Sequence, residues 1–326
     1  MSEEKLTRFL ESSFLKPLLA EKEVTDISYN GASLYYEDSL LGRKKSPLKL
    51  TPEEVGDFLR QIANLSEKQF SYQSPILDVS FGRYRLNAAF LSLVRVKERK
   101  SYSFSLRLAS GGSKLDSCPS FFGGDSQAIL MEALAKRESI VIGGATSSGK
   151  TELQKYLLLH LKENTRVIVI DNVEELEMCR DEQRLDLTSW LVDERFPSSN
   201  FPALIRNALR NDPDYIVVAE SRGGEMLDVL NSAMSGHALV LTLHSKDLAS
   251  MPYRMARMAM MGEQKLIYED VLGDIYHHFS LFVYLRKDDR PDGSIDRYIQ
   301  SIGRLNEKKK GIDILYERKK EIHEAH

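Results

Sequence analysis

Apolar residues recur at helical spacing near the start of the chain. Leu6, Phe9, Leu10, Phe14, Leu15, Leu18 and Leu19 predict one amphipathic helix over residues 4–20. Val24-Thr25-Asp26-Ile27-Ser28-Tyr29 then reads as a strand closed by the turn pair Asn30-Gly31, and residues 33–37 read as the next strand. Thr51-Pro52-Glu53-Glu54 is a helix start, with Thr51 as cap, Pro52 in the first turn and Glu54 at capping-box distance; that helix runs to about Leu65. Strand-like runs at 84–90 and 101–108 complete an expected α+β domain over residues 1–108.

The pattern changes after residue 108. A Gly- and Ser-rich stretch over 109–124 reads as a linker. Asp125 or Ser126 then caps a helix to about Lys136, and strands alternate with helices: strand 139–142, helix to 163, strand 166–170, helix 201–211, strand 215–219, helix 224–235, strand 238–243. Such βαβ alternation predicts an α/β domain over 125–326 built on a parallel sheet covered on both faces. Helices are expected at 251–261 and 265–274, and antiparallel strands from Phe279 to Tyr316 with a turn at 290–294.

Composition narrows the classes. The 326 residues suffice for two cores, and 42% hydrophobic with 29% charged residues is ordinary for a globular protein. A net charge of −3 gives no global basic field for nucleic acid. No apolar run approaches the roughly 18 residues needed to cross a bilayer, and the mixed-charge start predicts no signal peptide. Cys118 and Cys179 fit no metal spacing, so a cytoplasmic protein is expected, with any membrane contact peripheral. The short runs at Lys308–Lys310 and Arg318–Lys320 read as solvated surface.

The candidate chemistry centres on Gly144-Ala145-Thr146-Ser147-Ser148-Gly149-Lys150-Thr151, a G-x-x-x-x-G-K-[ST] loop between a predicted strand and a predicted helix. A triphosphate needs donors on several oxygens at once. Gly144 and Gly149 let backbone N–H groups turn inward, and the helix start adds its positive end. Lys150 then reaches the outer phosphates of ATP, and the Thr151 hydroxyl is the expected ligand of Mg²⁺.

Three further segments end predicted strands. Asp171-Asn172-Val173-Glu174-Glu175 follows Ile168-Val169-Ile170; its acids, Glu175 above all, suit a nucleotide crevice, with a helix start as the plain alternative for Glu174 and Glu175. Tyr215-Ile216-Val217-Val218-Ala219 leads to Glu220, a carboxylate placed to orient or deprotonate water. His237 and His244 bracket the strand 238–243; His244 is placed to sense a terminal phosphate. A metal pair is not expected, since seven residues along a strand at roughly 3.3 Å each separate the two by well over about 20 Å.

Phosphate loop, acidic run, Glu-x-Arg strand end and Gly-His…Thr-x-His, in that order, resemble the type II/type IV secretion ATPase superfamily. The chain looks most like the hexameric traffic ATPases of type IV secretion and conjugation, above all over residues 208–225. The resemblance implies a RecA-like P-loop domain preceded by a smaller, PAS-like α+β domain. It implies Glu220 as catalytic acid, Glu175 in an acidic box and His244 as sensor. It also implies Arg85 and Arg107 as strand arginines reaching the nucleotide, where exposed strand arginines are the plain alternative. Departures are Asp171-Asn172-Val173 where Glu-Asp-Thr is usual, Ala219 where Gly is usual, and Glu152 where Thr is usual; no Cys-x-x-Cys pair is present.

The implied function is a Mg-dependent ATPase that powers secretion, conjugation or pilus assembly. It would work as a homo-hexamer docked on an inner-membrane complex at the cytoplasmic face, with nucleotide-driven closure of one domain on the other. The alternatives are a nucleotide-gated assembly scaffold with little turnover and a RecA-like nucleic-acid motor.

Overall fold

The computed structural model describes residues 2–109, 112–172, 175–176, 184–262, 265–290 and 294–319. Val173 and Glu174 of the acidic run, Cys179, the centre of the expected turn at 290–294 and Lys320 lie outside them. The chain divides into two units: one takes in residues up to 110 together with 289–296, and the other holds the rest.

The first unit is an antiparallel sheet with helices. Its strands are β1 (Val24–Tyr29), β2 (Leu34–Asp38), β3 (Gly42–Lys45), β4 (Ile76–Phe81), β5 (Tyr84–Val96) and β6 (Arg99–Leu108), in the order β3-β2-β1-β6-β5-β4. Period-two alternation sets the buried face: Ile27, Leu77, Val79, Leu86 and Leu106 point into the core. Helices α1 (Ser2–Ser12), α2 (Lys16–Leu19) and α3 (Pro52–Leu65) belong to the same core through Leu6, Leu10, Leu19, Phe58, Leu59 and Ile62. The Thr51–Glu54 capping box at the start of α3 forms in both directions.

The single helix expected over 4–20 is two. The hydroxyls of Ser12 and Ser13 bond back to the Phe9 and Leu10 carbonyls, and Pro17, which lacks an N–H, sits in the first turn of α2. β3 and β4 were not expected. β4 is a short strand whose outward positions are Ile76, Asp78 and Ser80, joined to β5 through Gly82 at φ +50°.

The second unit is a mixed, mostly parallel sheet. Its strands are β7 (Ile140–Gly144), β8 (Arg166–Asp171), β9 (Asp186–Leu191), β10 (Tyr215–Val218), β11 (Ala238–His244), β12 (Leu281–Asp289), β13 (Ile295–Asn306) and β14 (Gly311–Glu317), in the order β14-β13-β12-β7-β11-β10-β8-β9. The pairings from β12 through β9 are parallel, and β13 pairs antiparallel with β14. β12 thus departs from the antiparallel tail expected over 279–316: it lies beside β7 and runs with it.

Helices α4 (Ser126–Ala135), α5 (Lys150–Leu159), α6 (Phe201–Ala208), α7 (Met226–Met234), α8 (Met251–Ala259) and α9 (Tyr268–His278) complete the second unit. Its central strands β7, β8, β10 and β11 are near-continuous apolar runs because both faces are buried. Ile140, Ile142, Val167, Val169 and Val217 pack with Leu153, Tyr156 and Leu157 of α5. Val141, Ile168, Ile170, Ile216 and Val218 pack with Phe201, Ile205, Met226, Met251 and Ile275 on the other face. Leu115 and Phe121, inside the stretch expected as linker, are buried in the first of these clusters. Among the described residues no helix is long and apolar enough to cross a membrane.

Candidate functional site

The loop 144–151 joins β7 to α5, the strand-loop-helix setting that its spacing requires. Two positions explain its glycines. Gly149, next to the first residue of α5, has φ +97°, and a Cβ there would lie 3.2 Å from the Phe121 ring. A Cβ at Gly144 would lie 2.8 Å from the Leu285 carbonyl oxygen of β12. Ser147 is also left-handed, at φ +60°.

Lys150 is buried at 9% exposure, and its ammonium donates to the carbonyls of Ala145 at 2.9 Å and Gly144 at 3.3 Å. Thr151 follows in the first turn of α5 and is partly buried. Ala145, Thr146 and Ser147 are exposed, while Ser148 is buried with no hydrogen-bond partner for its hydroxyl.

Strand register brings the predicted residues together. Gly144 of β7 is flanked by His244 of β11 on one side and Leu285 of β12 on the other. Val218 of β10 pairs with Leu241 of β11 and with Ile170 of β8, so Glu220 and Asp171 leave the sheet at the same end. The Ala219 N–H donates to Ile170 O at 3.0 Å, the Thr242 hydroxyl to Ala219 O at 2.6 Å, and the Ser221 N–H to Thr242 O at 2.9 Å. Gln154 of α5 donates to Val218 O at 2.9 Å, tying the helix after the loop to the strand before Glu220.

The Glu220 carboxylate is the electrostatic focus. Arg222 Nη2 donates to Oε2 at 2.6 Å, and His244 Nε2 lies 2.9 Å from Oε1. The His244 approach has ion-pair distance without hydrogen-bond alignment, so Oε1 keeps an open acceptor site although it is buried. His244 Nδ1 lies 3.4 Å from Lys150 Nζ. An ammonium only donates, so Nδ1 is the acceptor of this contact in the tautomer that carries its ring proton on Nε2. Burial raises the Glu220 carboxyl, but Arg222, His244 and Lys150 outweigh it and hold it below the ordinary carboxylate value.

Sequence reasoning gave Arg222 and Glu225 no role. Glu225 Oε1 accepts from the N–H groups of Arg222 at 2.5 Å and Gly223 at 2.8 Å and from the Ser221 hydroxyl at 3.1 Å, which fixes the turn that aims Arg222. The signal was the acid three residues past Arg222, a turn-capping spacing.

The remaining candidates divide. Glu175 is buried at 8% exposure just past β8, where the Leu176 N–H donates to the wholly buried Asp171 at 3.3 Å. Arg85 and Arg107 lie opposite one another on β5 and β6 in the first unit, with Asp26 of β1 opposite Arg107. His237 stands at the far end of β11 from His244, with its Nδ1 buried and without a hydrogen bond. Among the described residues no three His, Cys, Asp or Glu side chains cluster as a metal site.

The arrangement suits a phosphate chain. The start of α5, a glycine-permitted turn and a buried ammonium converge on one strand end. A carboxylate with an open acceptor oxygen lies across from that ammonium through His244.

Residues 119–273, which hold the loop, Glu220 and His244, match the family model described as Type II/IV secretion system protein. Over 312 residues the chain is 28% identical to an uncharacterised protein of Bacillus anthracis, covering 91% of this chain and 68% of that protein. Over 160 residues it is 33% identical to the type IV secretion system protein VirB11 of Brucella suis biovar 1, covering 47% of this chain and 44% of that protein. The match thus spans under half the length of that relative. The fold is similar to that of the Legionella pneumophila ATPase DotB, with a TM-score of 0.70 and 22% identity over 95% of this chain and 83% of that one.

Proposed function

The chain belongs, through residues 119–273, to the Type II/IV secretion system ATPase family, and on that premise we propose that it hydrolyses ATP to drive a secretion, conjugation or pilus-assembly machine. The observation that carries this reading is the line from Lys150 through His244 to Glu220 at the mouth of the phosphate loop.

In this reading the inward N–H groups of 144–151 and the start of α5 hold the phosphates. Lys150 leaves the Gly144 and Ala145 carbonyls for a phosphate oxygen. Glu220 orients the attacking water through Oε1 and takes up its proton in the transition state, a role worth roughly 10²–10⁴ in rate. His244 lies between Lys150 and Glu220, so movement of the ammonium is felt at the carboxylate. Thr151, at the start of α5, suits Mg²⁺ as a hydroxyl ligand, and the ion when bound supplies charge neutralisation on the phosphates.

The finer parts follow the same reading. Glu175 supports the acidic side of the crevice. Arg85 and Arg107 reach the nucleotide when the RecA-like domain and the smaller N-terminal domain close on one another. Six copies form a ring at the cytoplasmic face of an inner-membrane complex. Particle mass with and without a non-hydrolysable ATP analogue tests the ring, and a monomer in both states refutes it.

Hydrolysis itself is tested by steady-state phosphate release from the wild type and from Lys150→Ala. Turnover in the first and none in the second is expected; equal release from both refutes the assignment. The Arg222–Glu220 ion pair favours one second reading, a nucleotide-gated scaffold in which Glu220 is held back by Arg222. Nucleotide binding without phosphate release would select it.

A further inference from the structure

A loop that turns its N–H groups inward turns carbonyls outward, and each of those takes its hydrogen bond from the chain or from solvent. In the loop 144–151 the Gly144 and Ala145 carbonyls are met by Lys150 Nζ, and the Gly149 carbonyl by the Leu153 N–H at 2.9 Å. The Ser147 carbonyl is met from elsewhere: Arg297 Nε donates to it at 2.8 Å. Arg297 stands on β13, which is separated from β7 by β12, and it lies 150 positions along the chain.

Two features make this bond matter. Ser147 has φ +60°, a left-handed conformation that a residue with a side chain keeps only when its surroundings enforce it. The Lys150 bonds, moreover, are surrendered when the ammonium turns to a phosphate, whereas Arg297 has no such second duty in the proposed reaction. A guanidinium suits the task because it is always charged and its Nε–H has a fixed direction.

We propose that Arg297 is a positioning residue for nucleotide binding: it clamps the Ser147 carbonyl and keeps the loop's inward N–H groups in place after Lys150 has left the loop. The inference rests on the reading of 144–151 as a phosphate cradle.

The experiment measures ADP and ATP dissociation constants with fluorescent analogues on the full chain, together with KM and kcat, for the wild type and for Arg297→Ala, Arg297→Lys and Lys150→Ala. Melting curves check that each variant folds. Losing a charged hydrogen bond that is exposed to solvent predicts that Arg297→Ala weakens ADP and ATP alike by about five- to tenfold. KM rises by the same factor while kcat at saturation stays within about twofold, and Arg297→Lys recovers most of the loss because its ammonium also reaches a carbonyl. Unchanged affinities in a folded Arg297→Ala overturn the proposal. So does a fall in kcat with affinity intact, which would put Arg297 on the reacting phosphate rather than on the loop. If Arg297→Ala does not fold, Arg297→Lys decides: an affinity loss equal to that of Lys150→Ala overturns it. Lys150→Ala separates the two levels. If it binds ADP as the wild type does, the cradle itself fails; if it loses binding while Arg297→Ala does not, only this inference fails.

Discussion

Glu220→Gln isolates the carboxylate from its shape. The side chain is 18% exposed and is held by Arg222 at 2.6 Å, with His244 at 2.9 Å on the other oxygen. An amide keeps the volume and one acceptor but gives up the charge. The Arg222 contact falls from a charge-assisted to an ordinary hydrogen bond, a loss of about 1 kcal/mol. In a domain of 150–250 residues that lowers the melting temperature by about 2–4 °C. Catalysis suffers far more. An oriented acceptor for the attacking water is worth roughly 10²–10⁴, or about 3–5.5 kcal/mol of barrier. Nucleotide affinity is retained or tightened, since one negative charge leaves the neighbourhood of Lys150. The assay pairs single-turnover phosphate release with fluorescent-nucleotide binding on the same preparation. Turnover within threefold of wild type at full occupancy refutes the catalytic role. Loss of binding in step with loss of turnover shows that the residue holds the site together instead.

The remaining predictions use the same protein. Lys150→Ala lowers ATP affinity by at least about tenfold, read by calorimetry, because a charged donor to the phosphates is gone. Gly149→Ala forces a Cβ into φ +97° within 3.2 Å of the Phe121 ring; a loss of about 1–2 kcal/mol, with weaker nucleotide binding, is read from melting curves and titration. Thr51→Ala removes the capping box of α3 and costs about 1 kcal/mol, visible in denaturant unfolding with nucleotide affinity unchanged. The pH dependence has a definite sign. Glu220 is held below its ordinary value, so its contribution to stability is present above the unfolded value of about 4.3 and is lost as pH falls through the lower folded value. The melting-temperature gap between wild type and Glu220→Gln therefore narrows below about pH 4, and a gap constant from pH 7 to pH 3 contradicts the ion pair.

What the sequence made legible was contiguous or periodic. The phosphate loop states its geometry in eight adjacent residues. Glu220 and His244 were readable because each ends a run of buried apolar residues, and in a parallel sheet such ends gather at one edge. The parts that were missed lack either property. β9, Asp186–Leu191, is an edge strand with one buried position, Leu187, so it carries no strong alternation. The partner of β12 is a matter of three-dimensional pairing, although Leu281–Val283, all buried, hinted at a central strand. Arg297 gave no local signal, because its contact with the Ser147 carbonyl exists only once β13 has been placed across β12 from the loop 144–151.

The departures from the family pattern gain a physical meaning from the same contacts. Glu152 occupies a position where a second Thr is usual, and by sequence that weakens the case for turnover. In the fold its Oε2 accepts the Lys114 N–H at 3.1 Å, its carbonyl accepts the Ser113 hydroxyl at 3.2 Å, and its Oε1 lies 3.3 Å from the ammonium of Lys155. The Lys155 side chain is only 2% exposed, and a charge so buried needs anionic company. Glu152 is thus committed to Lys155 and to the 113–114 backbone, and the substitution changes how α5 is anchored. Ala219 is similarly explained: its N–H and carbonyl are both bonded, to Ile170 and Thr242, and its methyl packs against the core. Neither change removes a group from the line joining Lys150, His244 and Glu220. The two substitutions therefore argue for altered packing around that line, and the features left to slow turnover are the Arg222 contact on Glu220 and Asn172 in the acidic run.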